Sequence, residues 1–369
     1  MRIERVVVTP IRLPTAGRTA LPVAGVDGPA PAPAPVYVLA QVFTDSGAVG
    51  TGVTAAPAGW RSVAHLLSDE LAPLVVGTDP RHPERTAARI AHELASLGPG
   101  GLFARAYAAL DWALWDLAGQ SVGVPCARLW GHTRASVPVI LTEVGLTHAT
   151  PAALAKAAKP FLQQGVLGLH VEMSGCDPAA DSERIEQIRG IIGNEPWLSV
   201  TAKGRFDAGT ALALGRFFGD ELDLDWFEDA LPPEPTAAWS RLADRLEVPL
   251  AAGAHLDTPL AAAQWAARGT VQVLRLDPSR IGGPTAFLQA TQWAEQHGVR
   301  VVPVGLPELC VQLAGGRPNV PMLEWPAALS AVWAEPLALE KGRLPVPARS
   351  GLGLSVASAA LTALTLPLT

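Results

Sequence analysis

Apolar and polar positions follow two different rules along this chain. Residues 2–13 and 36–44 are runs rich in β-branched side chains, and a turn at Thr44-Asp45-Ser46-Gly47 leads into a third such run at 48–53. The pattern predicts three antiparallel strands. Between the first two lies a Pro/Ala-rich stretch, 15–35. Its PAPAPAP piece (29–35) is expected to be extended, because proline fixes φ and removes a backbone donor. Helical periodicity follows over 60–74, 84–97 and 102–119.

From about Val137 the rule changes. Short apolar runs that end in polar residues alternate with amphipathic stretches: VPVILTE, GLHVEM, LSVTAKG, LDWFED, VPLAAG, VQVLRLD, VRVVPV and MLEW. Eight strands separated by helices in roughly 200 residues imply a closed parallel barrel. Strands of such a sheet are buried on both faces, which explains their nearly continuous apolar character. Their polar C-terminal ends are where a barrel carries its chemistry. The expected fold class is therefore α/β, a closed parallel barrel that follows an N-terminal part of three strands and helices.

Composition narrows the function. Of 369 residues, 49% are apolar and 17% charged, which suits a large core and argues against disorder. A net charge of −6 offers no basic surface for nucleic acid. No apolar run is long enough to span a membrane, and the opening MRIERVVVTPIRLP does not resemble a secretion signal. The three cysteines, 126, 176 and 310, are widely spaced, as expected of reduced core thiols in a cytoplasmic protein.

Several segments, in order, resemble the mandelate racemase/muconate lactonizing branch of the enolase superfamily. They are SGAVGTG (46–52), ALDWALWDLAG (109–119), GVPCARLWG (123–131), GRFD (204–207), WFEDAL (226–231), VPLAAG (248–253), LDPSRIGG (276–283), and GRLPVP followed by SGLG (342–353). The resemblance implies a capping domain over 1–133 with a substrate-selecting lid at 15–35. It further implies a (β/α)7β barrel over 134–340 and a C-terminal segment, 341–369, that returns to the cap.

Members of that family hold one Mg2+ with carboxylates on the third, fourth and fifth barrel strands. The metal stabilises an enolate formed when a base takes the proton beside a carboxylate. The matching positions here read Thr201, Glu228 and Ala254. The second-strand Lys-x-Lys pair reads His170-x-Glu172, and the seventh-strand histidine reads Val304, leaving its partner Asp277 alone. The eighth-strand acid survives as Glu324. Each lost carboxylate forfeits roughly 8 kcal/mol of attraction to a dication at 4 Å and an effective dielectric of 20, before desolvation is offset. Mg2+ is reluctant to shed water, so neither metal nor other cofactor is expected.

Lys203 stands two residues after Thr201, so strand periodicity would turn both inward. Its ammonium is expected to reach Glu228, either as a cation in place of the metal or merely to neutralise a stranded carboxylate. His170 and Glu172 share an inward face and are the candidate proton carriers, with Glu172 a possible sharer of the Lys203 charge. The candidate catalytic residues are His170, Glu172, Lys203 and Glu228. His255, Arg275, Asp277, Glu324, Thr201 and Val304 are expected to line the substrate site, with Arg275 and Asp277 forming an ion pair and Glu143 a weaker candidate on the rim.

The expected activity is metal-independent isomerisation, cyclisation or elimination. Lid composition points to a small and mainly apolar organic molecule, and the Ala/Pro/Arg-rich chain to natural-product biosynthesis. The alternative is a non-catalytic relative that binds a ligand or an assembly partner. A third reading, a Mg2+ enzyme with ligands drawn from Glu172, Glu228 and Glu324, also stands. The apolar stretch 355–368 and the low charge suggest a homo-oligomer.

Overall fold

The computed structural model describes residues 1–13, 35–131, 134–142, 149–325 and 329–368. The lid reading at 15–35 and the candidate Glu143 fall outside these residues, Pro35 excepted.

Three antiparallel strands, β1 (Ile3–Arg12), β2 (Val36–Thr44) and β3 (Val49–Ala55), form the N-terminal sheet in that order. The hairpin register puts Phe43 opposite Val49, as the Asp-Ser-Gly turn requires. Helix α1 (Trp60–His65) runs through a π-helical turn, Leu66–Leu71, into α2 (Ala72–Val75). The expected single helix over 60–74 is widened where Pro73 can neither donate nor approach the carbonyl four residues earlier. Helices α3 (Pro83–Glu93), α4 (Gly101–Ser121) and α5 (Cys126–Leu129) complete this part. The long helix α4 lies directly on β3, because Gly52 has no side chain. A Cβ there would sit 2.0 Å from the Ala109 carbonyl oxygen.

The barrel strands are β4 (Ser136–Thr142), β5 (Gly168–Glu172), β6 (Trp197–Thr201), β7 (Trp226–Glu228), β8 (Leu250–Ala252), β9 (Val273–Leu276), β10 (Arg300–Pro303) and β11 (Leu323–Trp325). Between them run α6 (Pro151–Gln163), α7 (Pro178–Ile192), α8 (Ala208–Asp220), α9 (Thr236–Ala243) and α10 (Pro259–Ala267). The remainder are α11 (Pro278–Ile281), α12 (Pro284–Gln296) and α13 (Pro307–Gly316). Neighbouring strands pair in parallel in the order β10-β9-β8-β7-β6-β5-β4-β11. The ring is nearly closed. At the seam the Gly305 amide donates to Glu324 Oε2 at 3.0 Å and the Val301 amide to the Asn319 carbonyl at 2.8 Å.

Side-chain caps start the barrel helices where the sequence placed Thr or Asp: Thr150, Asp177, Asp207 and Thr258 each accept backbone N–H bonds. The tail adds β12 (Arg343–Pro345), antiparallel to β4, and a short helix, α14 (Ser358–Leu364). Ile11 of β1 forms an isolated antiparallel bridge with Thr365 of the tail. Among the described residues no helix is long and apolar enough to cross a membrane. Cys126 and Cys310 are buried, whereas Cys176 is exposed, against the expectation of three core thiols.

Candidate active site

Two layers of side chains fill the barrel, and strand parity sets both. The lower layer is apolar: Ile140, Trp226, Ala251, Val273, Val302 and Met322 pack together. Two residues further along, the same inward faces carry Thr142, Glu228, Arg275, Val304 and Glu324. The polar layer thus sits above this apolar cluster at the C-terminal ends of the strands, and His170 and Ser199 lie level with Trp226 by register.

Arg275 is the centre of that layer. Only 1% exposed, it donates from Nε to Glu228 Oε2 at 3.0 Å and from Nη2 to Glu324 Oε1. The remaining nitrogen, Nη1, is buried without a partner among the described residues. His170 Nε2 lies 2.9 Å from the same Glu228 Oε2, and its Nδ1 lies 2.9 Å from Ser199 Oγ. The imidazole also rests near the Trp226 ring, with centroids 5.8 Å apart. Burial alone would raise the Glu228 pKa, but Arg275 and then His170 pull it down to about 2. Burial would likewise lower the Arg275 pKa, and the Glu324 and Glu228 charges more than reverse this, holding the guanidinium protonated.

Lys203 is placed differently from the expectation. Strand β6 ends at Thr201, and Lys203 has φ 52°, so the chain leaves the strand through a left-handed turn and the period of two no longer applies. The Lys203 ammonium pairs with Glu172 rather than Glu228. Its side chain is 45% exposed, on the mouth rather than inside. The cation on Glu228 is Arg275. The proposed Arg275–Asp277 pair is also corrected. Asp277 lies past the end of β9, where it accepts the Ser279 amide at 2.8 Å as the cap of α11 and faces Arg105 Nη1 at 3.8 Å.

The other expected residues lie around the same mouth. Thr201 is buried and its hydroxyl accepts the Lys203 amide at 3.3 Å. Val304 is half-buried and presents only an apolar surface. His255 sits apart from the Glu228 network, edge-on to Trp265 at 5.7 Å, and burial and then Arg280 lower its pKa. Sequence reasoning missed Asp229. It has φ 45° and is near enough to Glu228, Arg275 and Lys203 to feel their charges, and burial and then the Glu228 charge push its carboxyl to about 8.

Among the described residues, no three His, Cys, Asp or Glu side chains converge as a metal cage. Glu228 and Glu324, two carboxylates of the inner layer, are both bound by the Arg275 guanidinium, and Glu172, level with Glu228, pairs with Lys203. Thr201 and Ala254 supply no third charge, so the residues present do not fit Mg2+.

Residues 153–360 match the enolase C-terminal domain-like family model, and residues 32–131 match the N-terminal domain model of mandelate racemase/muconate lactonizing enzymes. The chain belongs to this branch of the enolase superfamily. Within the superfamily, it is 27% identical over 323 residues to L-talarate/galactarate dehydratase of Salmonella typhimurium, covering 88% of this chain and 81% of that protein. It is equally 27% identical over 319 residues to 3,6-anhydro-alpha-L-galactonate cycloisomerase of Streptomyces coelicolor, covering 86% and 88%. Among solved structures it resembles L-talarate dehydratase from Polaromonas sp. JS666, complexed with Mg and L-glucarate. The TM-score is 0.89 and the identity 28%, over 99% of this chain and 98% of that one.

Proposed function

We propose that this superfamily member is a lyase or isomerase that moves protons on a small organic acid without a metal ion. The single observation carrying the reading is Arg275, whose guanidinium joins Glu228 to Glu324. A fixed cation of this kind occupies both acids without the geometry that Mg2+ demands, leaving neither of them free to hold a dication.

The roles follow from exposure. Both ring nitrogens of His170 are engaged, so it holds Glu228 in place and is a positioning residue. Glu172 and Lys203 are the polar pair that a substrate at the mouth can reach. Glu172 takes the proton from the carbon beside the substrate carboxylate, and the electron pair moves onto the carboxylate oxygen. The Lys203 ammonium stabilises that developing charge. Return of the proton to carbon gives isomerisation, and departure of a group from the next carbon gives elimination. The substrate reading moves from a mainly apolar molecule to an organic acid, because the relatives are named for sugar acids and the mouth keeps these charged groups.

A second reading has its own support. Glu228 and Glu324 already share Arg275, and Glu172 already holds Lys203, as expected of a non-catalytic barrel that binds a ligand or partner. Incubation in D2O with a panel of sugar acids and other hydroxy acids, in the presence of EDTA, separates the two. Enzyme action predicts deuterium at the carbon beside the carboxylate, or loss of the substrate, in the wild type only. Lys203→Met and Glu172→Gln lose it. No exchange with any acid favours the binding reading, and activity that needs added Mg2+ contradicts both.

A further inference from the structure

Where the N-terminal part packs on the barrel, α3 and α4 enclose a cavity of about 220 Å³ against α10, α11 and α12. Its floor is built from buried residues. Phe103 and Tyr107, one turn apart on α4, hold their rings nearly parallel with centroids 6.2 Å apart, and Ile281 and Thr285 close the barrel side. On the other wall Ala87, Ala88 and Ala91 of α3 are too small to fill the space. None of the lining residues belongs to the Glu228–Arg275–Glu324 network or to the Glu172–Lys203 pair.

The hydroxyls of the floor are spent inward. Tyr107 donates to Asp111 Oδ1 at 3.3 Å, and Thr285 donates to the same oxygen at 2.8 Å while accepting from Trp115 Nε1 at 2.9 Å. Neither has a donor left for a ligand, so the floor favours an apolar body. The free polar groups stand at the rim. Glu84 and Gln289 are exposed there, and neither has a hydrogen-bond or ion-pair partner among the described residues. No Lys, Arg or His lines the cavity, so its one charge is the Glu84 carboxylate. Asp111, behind the floor, is near enough to Glu84 for the charge of one to raise the pKa of the other, and the local field therefore favours a cation.

Size narrows the choice further. An apolar cavity of roughly 150 Å³ holds benzene, so this one has room for a benzene ring and about two further atoms. Aromatic walls also attract an ammonium group.

We propose that this cavity binds a small arylalkyl amine, its ring against Phe103 and Tyr107 and its ammonium on the Glu84 carboxylate. Such a ligand ties α3 to α12 and braces the N-terminal part against the barrel.

Calorimetric titration of the full chain with benzylamine, benzyl alcohol and benzoate, near neutral pH, tests this. Benzylamine should bind about five-fold more tightly than benzyl alcohol, as for one exposed ion pair, and benzoate more weakly than either. Glu84→Gln should bring benzylamine down to the alcohol and leave the alcohol unchanged, while Glu84→Asp should keep part of the difference. Ala88→Phe, at an exposed position, fills the cavity and should abolish binding of both. Ala91→Phe blocks the same space if a thermal melt shows that Ala88→Phe does not fold. Equal binding of amine and alcohol, or an amine advantage that survives Glu84→Gln, overturns the amine assignment. Binding that persists in the Phe variants, or no binding of any of the three compounds to the wild type, overturns the cavity as a site.

Discussion

Arg275 and Glu228 form a fully buried ion pair, Nε to Oε2 at 3.0 Å, in the middle of the barrel's polar layer. Glu324 holds the other side of the same guanidinium and is itself tied to the Gly305 amide across the seam between β10 and β11. One arginine therefore bridges two inner acids, offsetting one of their two negative charges, and links the nearly closed ring. Removing it should leave two buried carboxylates without a counter-charge. Arg275→Met is expected to lower stability by about 3–5 kcal/mol in urea denaturation, the range for breaking one side of a buried pair. Changing Glu228 and Glu324 to Gln in that background should recover part of the loss.

Lys203 illustrates a conflict between backbone and chemistry. A lysine at φ 52° costs on the order of 1 kcal/mol, and Asn tolerates that conformation better. Lys203→Asn should therefore melt at the same temperature as the wild type or slightly higher. Its turnover, once a substrate is identified, should fall by roughly 10²–10⁴-fold, as for loss of a positioned charged group. Equal turnover would remove Lys203 from the chemistry.

His170 should report on the floor rather than the mouth. Ser199→Ala leaves Nδ1 without a partner in a buried site, at a cost of about 1–3 kcal/mol. If His170 only positions Glu228, this variant should lose stability and keep the pH profile of turnover. A shifted profile would make His170 a proton carrier.

Several buried acids set the pH dependence of stability. Burial raises Asp111 to about 7, Asp116 to about 6 and Glu308 to about 7, with hydrogen bonds only partly opposing it. For each, the folded chain binds the proton more tightly than the unfolded one. Stability is therefore lost as pH rises from about 4 through 7. Glu228 acts in the other direction: its depressed pKa contributes stability above about 4.5 that is lost as pH falls toward about 2. Denaturation midpoints should peak in mildly acidic solution and decline toward pH 8. Asp111 sits where Gly283 lets α4 meet α12, accepting from the Thr285 amide at 2.7 Å and the Thr285 hydroxyl at 2.8 Å. Asp111→Asn should flatten the decline, whereas an unchanged slope would exclude Asp111 as its source.

Much of this architecture is legible in the chain. Alternating apolar runs mark all eight barrel strands, and the ordered motifs mark the superfamily, because burial on both faces leaves a strand little choice of side chain. Parity also places His170, Glu172, Glu228 and Arg275 inward, since each lies within a strand. It fails at Lys203 and Asp277, which lie just beyond β6 and β9, where a left-handed turn and a helix cap take over. The acid nearest to Arg275 in sequence, Asp277, is not its partner. Glu228 is 47 residues away and Glu324 49, and only closure of the ring brings them together.

The most direct measurement is a calorimetric titration of the purified, EDTA-treated chain with Mg2+, beside Arg275→Ala in the same buffer. A tethered guanidinium in the metal's stead predicts no saturable heat for the wild type at millimolar Mg2+ and no change in its melting temperature after EDTA. One tightly bound Mg2+ per wild-type chain, released by EDTA with a fall in melting temperature, would contradict it.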